Sequence, residues 1–189
     1  MNPNDKAYLV GLVTEAKANY NVDHSQVYAF GHSNGGLMAQ ILVCQESDTF
    51  KGMVGLSPGV IPGKCWETKA TKVLMVSGNE DLYLAPCVNA DNAKRWGGYF
   101  KCGETPSLET RLGLDCEEGA AADYDSYYDQ WKDHNCALKG AETAVEVWEG
   151  CEGPGGKSKV RLWTMEGSSD SPALSSAFTQ KALRFLLED

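Results

Sequence analysis

The sequence has little of what binding to nucleic acid or insertion into a membrane requires. Its 17 Lys and Arg residues are outnumbered by 26 Asp and Glu residues, which gives a net charge of −9 at pH 7. That balance opposes contact with phosphate backbones and with anionic lipid surfaces. No apolar run approaches the roughly 20 residues of a membrane-spanning helix. We therefore expect no nucleic-acid partner and no membrane partner.

The cysteines and the first residues bear on localisation and on metal binding. The seven cysteines include no CxxC pair, so zinc is not indicated, and we expect neither a metal nor a cofactor. Seven cysteines in 189 residues are more than a reduced protein usually carries, which favours disulfides and an extracellular location. The opening MNPNDKAYLV lacks the cationic start and the apolar centre of a signal peptide. Either a leader lies upstream of Met1 or the thiols stay reduced.

The order of the apolar segments predicts one α/β domain with a mostly parallel sheet flanked by helices. With 42% hydrophobic residues, the chain is long enough for one sizeable core. Apolar residues at helical spacing predict helices over 5–18, 34–46, 88–96, 123–133 and 178–186. Short apolar runs bounded by turn residues predict strands over 26–30, 53–56, 72–76, 144–148 and 160–165. Weak patterning between them predicts a cap-like excursion at about 86–135.

Residues 27–40 carry the most specific motif of the sequence. Within them, Gly31-His32-Ser33-Asn34-Gly35 fits the pattern G-x-S-x-G between a predicted strand and a predicted helix. In a nucleophile elbow this arrangement places the serine on a sharp turn that lifts its hydroxyl above the sheet. The amide of Asn34, at the start of the helix, can stabilise an oxyanion. The motif predicts an α/β-hydrolase with Ser33 as nucleophile; the alternative is an ordinary serine in a glycine turn.

Asp81 is the candidate for the acid of a catalytic triad. It ends the run Ser77-Gly78-Asn79-Glu80-Asp81, which follows the predicted strand 72–76. In α/β-hydrolases the acid and then the histidine follow the nucleophile in chain order, after later strands. Glu80 is the nearest competitor for this role. The alternative is an acidic residue that merely falls in a loop.

Blocks that match a known pattern lie at residues 20–23, 27–28, 31–39, 44, 77–81, 131, 134–136, 150–151 and 162–167. Together they resemble the esterase family of polyhydroxybutyrate depolymerases and bacterial feruloyl esterases. The resemblance implies a serine-type carboxylic-ester hydrolase acting on a small-molecule or polymeric ester. It also implies two disulfides, Cys44–Cys65 and Cys136–Cys151, and leaves Cys87, Cys102 and Cys116 unassigned.

The chain departs from this family where the catalytic histidine is expected. The family reads Glu-Gly-Gly-Gly-His or Glu-Gly-Gly-Ser-His after the last strand, whereas this chain reads Glu-Gly-Ser-Ser-Asp over residues 166–170. Asp170 therefore occupies the position of the base, and a carboxylate is a poor base for a serine hydroxyl. The main hypothesis is a serine esterase that lacks a histidine at the expected position of its base. The alternative is a non-catalytic relative that binds an ester ligand.

Two further expectations follow from the histidines and from the start of the chain. Only three histidines exist, and none of His24, His32 and His134 convincingly replaces the missing base. Family members carry several strands before the helix that begins here near Asp5. The resemblance therefore implies a sheet without its N-terminal strands and without a second oxyanion donor. An incomplete sheet edge favours self-association.

Overall fold

The computed structural model describes residues 4–60, 63, 65, 67–114, 142–172 and 174–188. The helices are α1 (Asp5–Asn19), α2 (Asn34–Gln45), α3 (Pro86–Tyr99) and α4 (Ser176–Leu187). The strands are β1 (Tyr28–His32), β2 (Gly52–Leu56), β3 (Lys72–Gly78), β4 (Ser107–Leu112), β5 (Thr143–Trp148) and β6 (Lys159–Met165). The helix predicted over 123–133 lies outside the described residues. Within the described ranges, no helix combines the length and the apolar character needed to cross a bilayer.

The strands form one sheet in the order β1-β2-β3-β6-β5-β4. The first four strands are mutually parallel, and β5 and β4 add an antiparallel pair at one side. This confirms the prediction of a mostly parallel sheet. Every residue of β2 and β3 is buried, as expected for parallel strands covered on both faces. The carboxyl ends of β1, β2, β3 and β6 therefore share one edge of the sheet.

Helices cover both faces of the sheet because alternate strand residues point to opposite sides. On one face, α2 and α3 bury side chains such as Val43, Trp96 and Phe100 against Val73 and Met75 of β3. On the other face, α4 covers the alternate residues of the same strands; this second cluster includes Leu74, Val76, Trp163, Phe178 and Phe185. Helix α1 contributes no fully buried residue, so the amphipathic helix predicted there only partly covers the core.

The predicted cap-like excursion is wrong for residues 86–112. Helix α3 belongs to the main core, since Trp96 is completely buried, and β4 pairs with β5 as part of the sheet. Strand β4 had no signal in the sequence because this edge strand has no buried residue and hence no apolar alternation. Residues 115–135 lie outside the described part of the chain. Leu114 and Glu142, the described residues on either side of 115–141, are in contact: the Leu114 amide donates to Glu142 Oε1 over 2.8 Å.

The structure contains the Cys44–Cys65 disulfide but not the Cys136–Cys151 pairing. Cys151 is bonded instead to Cys102, which follows α3. The reason is local: the backbone after α3 runs beside the turn after β5, where the Gly103 amide donates to the Glu149 carbonyl over 2.8 Å. Cys136 lies outside the described residues. Cys87 is exposed and unpaired.

Removing Cys102–Cys151 as a Ser/Ser double variant is expected to lower the free energy of unfolding by up to about 4 kcal/mol. The bond joins residues 49 positions apart, so it restricts the unfolded chain more than Cys44–Cys65, whose residues are 21 apart. Urea unfolding of both double variants measures the difference. Peptide mapping of the oxidised protein checks the pairing, and a Cys136–Cys151 peptide would contradict the structure.

Strand β1 forms one edge of the sheet and leaves apolar side chains in solvent. Phe30 on β1 is 55% exposed, and Tyr8 on α1, which packs against α2, is 66% exposed. Exposed edges with apolar side chains favour pairing with another chain. We expect concentration-dependent association through this edge.

Phe30→Lys is expected to reduce that association, because a charge on an edge strand opposes strand pairing. Leu108→Lys is the matched control, since Leu108 is 61% exposed on β4 at the opposite edge. Sedimentation velocity over a range of protein concentrations measures the effect. Equal effects of the two substitutions would mean that the β1 edge is not the contact.

Candidate active site

Ser33 occupies a strained turn between β1 and α2. Its backbone angles are φ 51° and ψ −117°, and positive φ is uncommon for any residue with a side chain. The turn is held by its neighbours: the Ser33 amide donates to the Leu56 carbonyl over 2.8 Å, and the Leu37 amide donates to the Ser33 carbonyl over 3.0 Å. The residue itself is exposed. Strain that the surroundings maintain at an exposed hydroxyl is typical of a functional position.

Glycines at two positions allow the strand and the helix to meet so closely. A Cβ atom on Gly31 would lie 2.2 Å from the carbonyl oxygen of Gly35 in the first turn of α2. A Cβ atom on Gly36 would lie 2.9 Å from the Cβ atom of Pro58 in the loop after β2. Neither position has room for a side chain. Steric exclusion therefore explains Gly31 and Gly36, whereas a Cβ atom on Gly35 would meet nothing within 4 Å.

Asn34 lies where the oxyanion donor was predicted. It is the first residue of α2 and is exposed beside Ser33. The first amides of a helix have no acceptor within the helix, and the helix dipole places partial positive charge there. One backbone donor is thus available next to the Ser33 hydroxyl.

Asp81 is buried in the loop after β3, with only 5% of its surface exposed. Its Oδ1 atom accepts hydrogen bonds from the amides of Tyr83 and Leu84, both over 2.8 Å. Its Oδ2 atom is buried and has no hydrogen-bond partner among the described residues. Glu80 is exposed, which favours Asp81 over its competitor. A buried carboxylate oxygen that lacks a donor is what a triad acid presents when its histidine is missing.

The loop that carries Asp170 packs directly on the loop that carries Asp81. The Asn79 amide donates to the Met165 carbonyl over 3.0 Å, and the Glu80 amide donates to the Ser168 carbonyl over 2.9 Å. The Gly167 amide donates in turn to the Asn79 side-chain oxygen. The loop after β6, which ends at Asp170, is therefore held against the loop after β3 that carries Asp81.

His32 joins the elbow to the same loop, a contact that sequence reasoning missed. Its Nε2–H donates to the Asp170 carbonyl oxygen over 2.7 Å. A histidine held in this way positions a neighbouring loop, so its Nε2 atom is not free to act as a base toward Ser33. The elbow, the Asp81 loop and the Asp170 loop thus lie together. No signal in the sequence indicated the bond from His32.

Of the two other histidines, only His24 lies in the part of the chain that the structure describes. His24 lies in a turn before β1, and the strand separates it from Ser33 by about 16 Å, at about 3.3 Å per residue. It is too far away to be the base. His134 lies outside the described residues. Within the described part of the chain, no three His, Cys, Asp or Glu side chains are grouped so as to hold a metal ion.

A buried polar network beneath the elbow was also missed. Gln40, completely buried in α2, donates to the Gly59 carbonyl over 3.0 Å and accepts from Asn92 and Trp96 on α3. Gln40 thereby holds the loop after β2 in place, and Gly36 packs against Pro58 of the same loop. The sequence offered one sign of this network, because Gln40 is a polar residue among the apolar residues of α2.

Comparison with known proteins agrees with this geometry. A sequence model of the prolyl oligopeptidase family (Peptidase_S9) matches residues 5–86, which is under half of the chain. Acetyl xylan esterase from Aspergillus awamori has a similar structure, with a TM-score of 0.58 at 12% sequence identity. The similarity covers 95% of this chain and 67% of the esterase. The chain has the α/β-hydrolase fold.

At that level of identity the esterase establishes the hydrolase fold and nothing further. No curated protein matches the sequence significantly. In this fold Ser33 lies in the turn after β1, Asp81 in the loop after β3 and Asp170 in the loop after β6.

Proposed function

We propose that the chain is a serine-type carboxylic-ester hydrolase in which Ser33 is the nucleophile. The observation that carries this proposal is the backbone of Ser33, strained at φ 51° and ψ −117° while its side chain is exposed at the start of α2. The Ser33 oxygen attacks the carbonyl carbon of the ester. The Asn34 amide stabilises the resulting oxyanion, and the alcohol then leaves from the tetrahedral intermediate. Water next hydrolyses the acyl-serine, which releases the carboxylic acid and restores the Ser33 hydroxyl.

Among the residues that the structure describes, the proton of the Ser33 hydroxyl has no efficient acceptor. In a complete triad an imidazole takes that proton and delivers it to the leaving group, while the acid orients the imidazole. Asp81 retains the acid's place and an unpaired Oδ2 atom. Asp170 replaces the imidazole with a much weaker base. We therefore expect slow turnover from the unmodified chain, through transfer of the proton to water.

The missing base favours esters over peptides, although the matched family model is named for an oligopeptidase. A leaving amine must be protonated as the C–N bond breaks, and that step requires a general acid. A phenol or an activated alcohol can leave without one. The residue pattern resembles feruloyl esterases and polyester depolymerases, and the similar structure is named for acetyl xylan. We infer an ester of a carboxylic acid, small or polymeric, as the substrate.

The second candidate is a non-catalytic hydrolase relative that binds an ester ligand. The observation that favours it is Asp170 itself, since loss of a triad member removes most of the rate. The Cys44–Cys65 and Cys102–Cys151 disulfides are compatible with an extracellular protein. An extracellular location is compatible with both candidates, a secreted esterase and a secreted binding module.

Rescue by added imidazole distinguishes the two candidates. The experiment follows p-nitrophenyl acetate hydrolysis by the unmodified protein and by Asp170→Gly, which removes the side chain from the place of the missing base. Added imidazole is expected to raise the hydrolysis rate of Asp170→Gly more than tenfold above the hydrolysis that imidazole causes without Ser33. The matched control is Asp170→Gly combined with Ser33→Ala, which measures that background. A rate that does not depend on Ser33 with or without imidazole would support the binding module.

A further inference from the structure

A cleft on the α4 side of the sheet lies apart from the Ser33 site. Its volume is about 300 Å³, and α4, β6 and the edge strand β4 line it. Small-molecule sites begin at about this size. Its lining includes Lys159 and Arg161 at the start of β6, whereas Ser33 follows the carboxyl end of β1. The two strands are three positions apart in the sheet, or about 14 Å at about 4.8 Å per strand.

The cleft is positively charged in a chain that is strongly negative overall. Lys159, Arg161, Lys181 and Arg184 line it, against the two carboxylates of Glu109 and Glu188. Four cations and two anions give a local charge of +2, while the whole chain carries −9. Such a concentration of basic residues attracts anions that the rest of the surface repels.

The ion pairs in the cleft hold the two arginines and leave the two lysines available. Arg161 donates to Glu109 over 2.8 Å, and Arg184 lies 3.2 Å from Glu188. The Arg161 guanidinium is also held over the Phe185 ring, 5.7 Å from its centre. Lys181 has no partner among the described residues, and Lys159 reaches only a backbone carbonyl, 3.4 Å away. Two ammonium groups thus face the cleft without a carboxylate.

We propose that this cleft binds a polyhydroxylated small anion, such as a sugar carboxylate or a sugar phosphate. Ammonium groups bind the oxyanion as donors, and the Glu109 and Glu188 carboxylates accept hydrogen bonds from hydroxyl groups. A bare inorganic ion would fill little of a volume near 300 Å³. The site is independent of the proposed esterase chemistry, so Ser33→Ala leaves the binding unchanged.

Calorimetric titration at low salt with glucuronate, glucose 6-phosphate and glucose tests the proposal. We expect both anions to bind at least tenfold more tightly than neutral glucose. A preference between the two anions identifies carboxylate or phosphate as the group recognised. The double variant Lys181→Gln/Arg184→Gln is expected to lower anion affinity at least tenfold. Lys94→Gln/Arg95→Gln is the matched control, with one lysine and one arginine exposed on α3.

Three results would overturn the proposal. They are equal affinity for glucose and the anions, no anion binding at millimolar concentration, and equal losses in the two double variants. The last would indicate a general effect of charge on the surface. Circular dichroism checks the fold of each variant. If Lys181→Gln/Arg184→Gln does not fold, Lys181→Glu alone is expected to weaken anion binding at least tenfold, and unchanged binding there would contradict the proposal.

Discussion

Asp170→His is expected to raise the rate of p-nitrophenyl acetate hydrolysis by about 10²- to 10⁴-fold, the range that a positioned acid–base group contributes. The reason is that the surrounding parts remain in place. The loop over residues 166–170 is bonded to Asn79 and Glu80, and Asp81 Oδ2 is buried without a donor in the described part of the chain. An imidazole at position 170 would supply both the missing base and that donor.

The pH profile of Asp170→His provides a sharper test than the rate alone. The imidazole must be neutral to accept the Ser33 proton, so the rate is expected to rise with pH through about 6.5. Asp170→Asn is the matched control, because it removes the charge of the aspartate without adding a base. Its rate should stay near that of the unmodified protein.

Two further variants test whether a gain in the hydrolysis rate of Asp170→His depends on Ser33 and on Asp81. Adding Ser33→Ala should abolish the gain, because the nucleophile is lost. Adding Asp81→Asn should remove most of it, since the imidazole then loses the acceptor that orients it. A gain that survives both changes would show that the new histidine acts alone, and the proposed triad geometry would be wrong.

Gly31→Ala is expected to lower the free energy of unfolding by about 3 kcal/mol, at the upper end of typical overpacking effects. The added methyl group would lie 2.2 Å from the Gly35 carbonyl oxygen and 2.7 Å from the Gly36 nitrogen. Both are backbone atoms of the first turn of α2, so no side-chain rotation relieves the contact. Strand and helix would have to separate at the position that holds Ser33.

Gly98→Ala is the matched control for this steric argument. Gly98 lies in α3, and a Cβ atom there would meet nothing within 4 Å. Helical Gly→Ala changes at open positions stabilise by about 0.5–1 kcal/mol. Urea unfolding of both variants, compared at equal slopes, gives the two free energies. Similar values for Gly31→Ala and Gly98→Ala would contradict the close strand–helix contact.

The elbow and the parallel strands were predictable because their residues carry local signals. The order of residues 31–35 specifies a tight strand-to-helix turn, and the wholly buried strands β2 and β3 appear as short apolar runs. Strand β4 was not predictable. Its residues face solvent, and its place in the sheet depends on pairing with β5, which is distant in sequence.

The disulfide prediction shows the same limit. Cys102 and Cys151 are 49 positions apart and meet because separate backbone segments lie side by side. The bond from His32 to the Asp170 carbonyl likewise joins residues that are distant in sequence. Neither contact has a local pattern, since each depends on how the loops at one edge of the sheet are arranged. Local motifs predicted which loops form the site, whereas their mutual contacts required the structure.

The close packing of the Asp170 loop has a consequence at the level of the gene. Aspartate and histidine codons differ only in their first base, so one nucleotide substitution converts either residue into the other. The neighbouring residues hold this loop through backbone atoms, and those contacts do not depend on the side chain at position 170. Replacement of a histidine at position 170 by aspartate would leave these contacts intact. A single reverse substitution would place the histidine back in a loop that is already held in position.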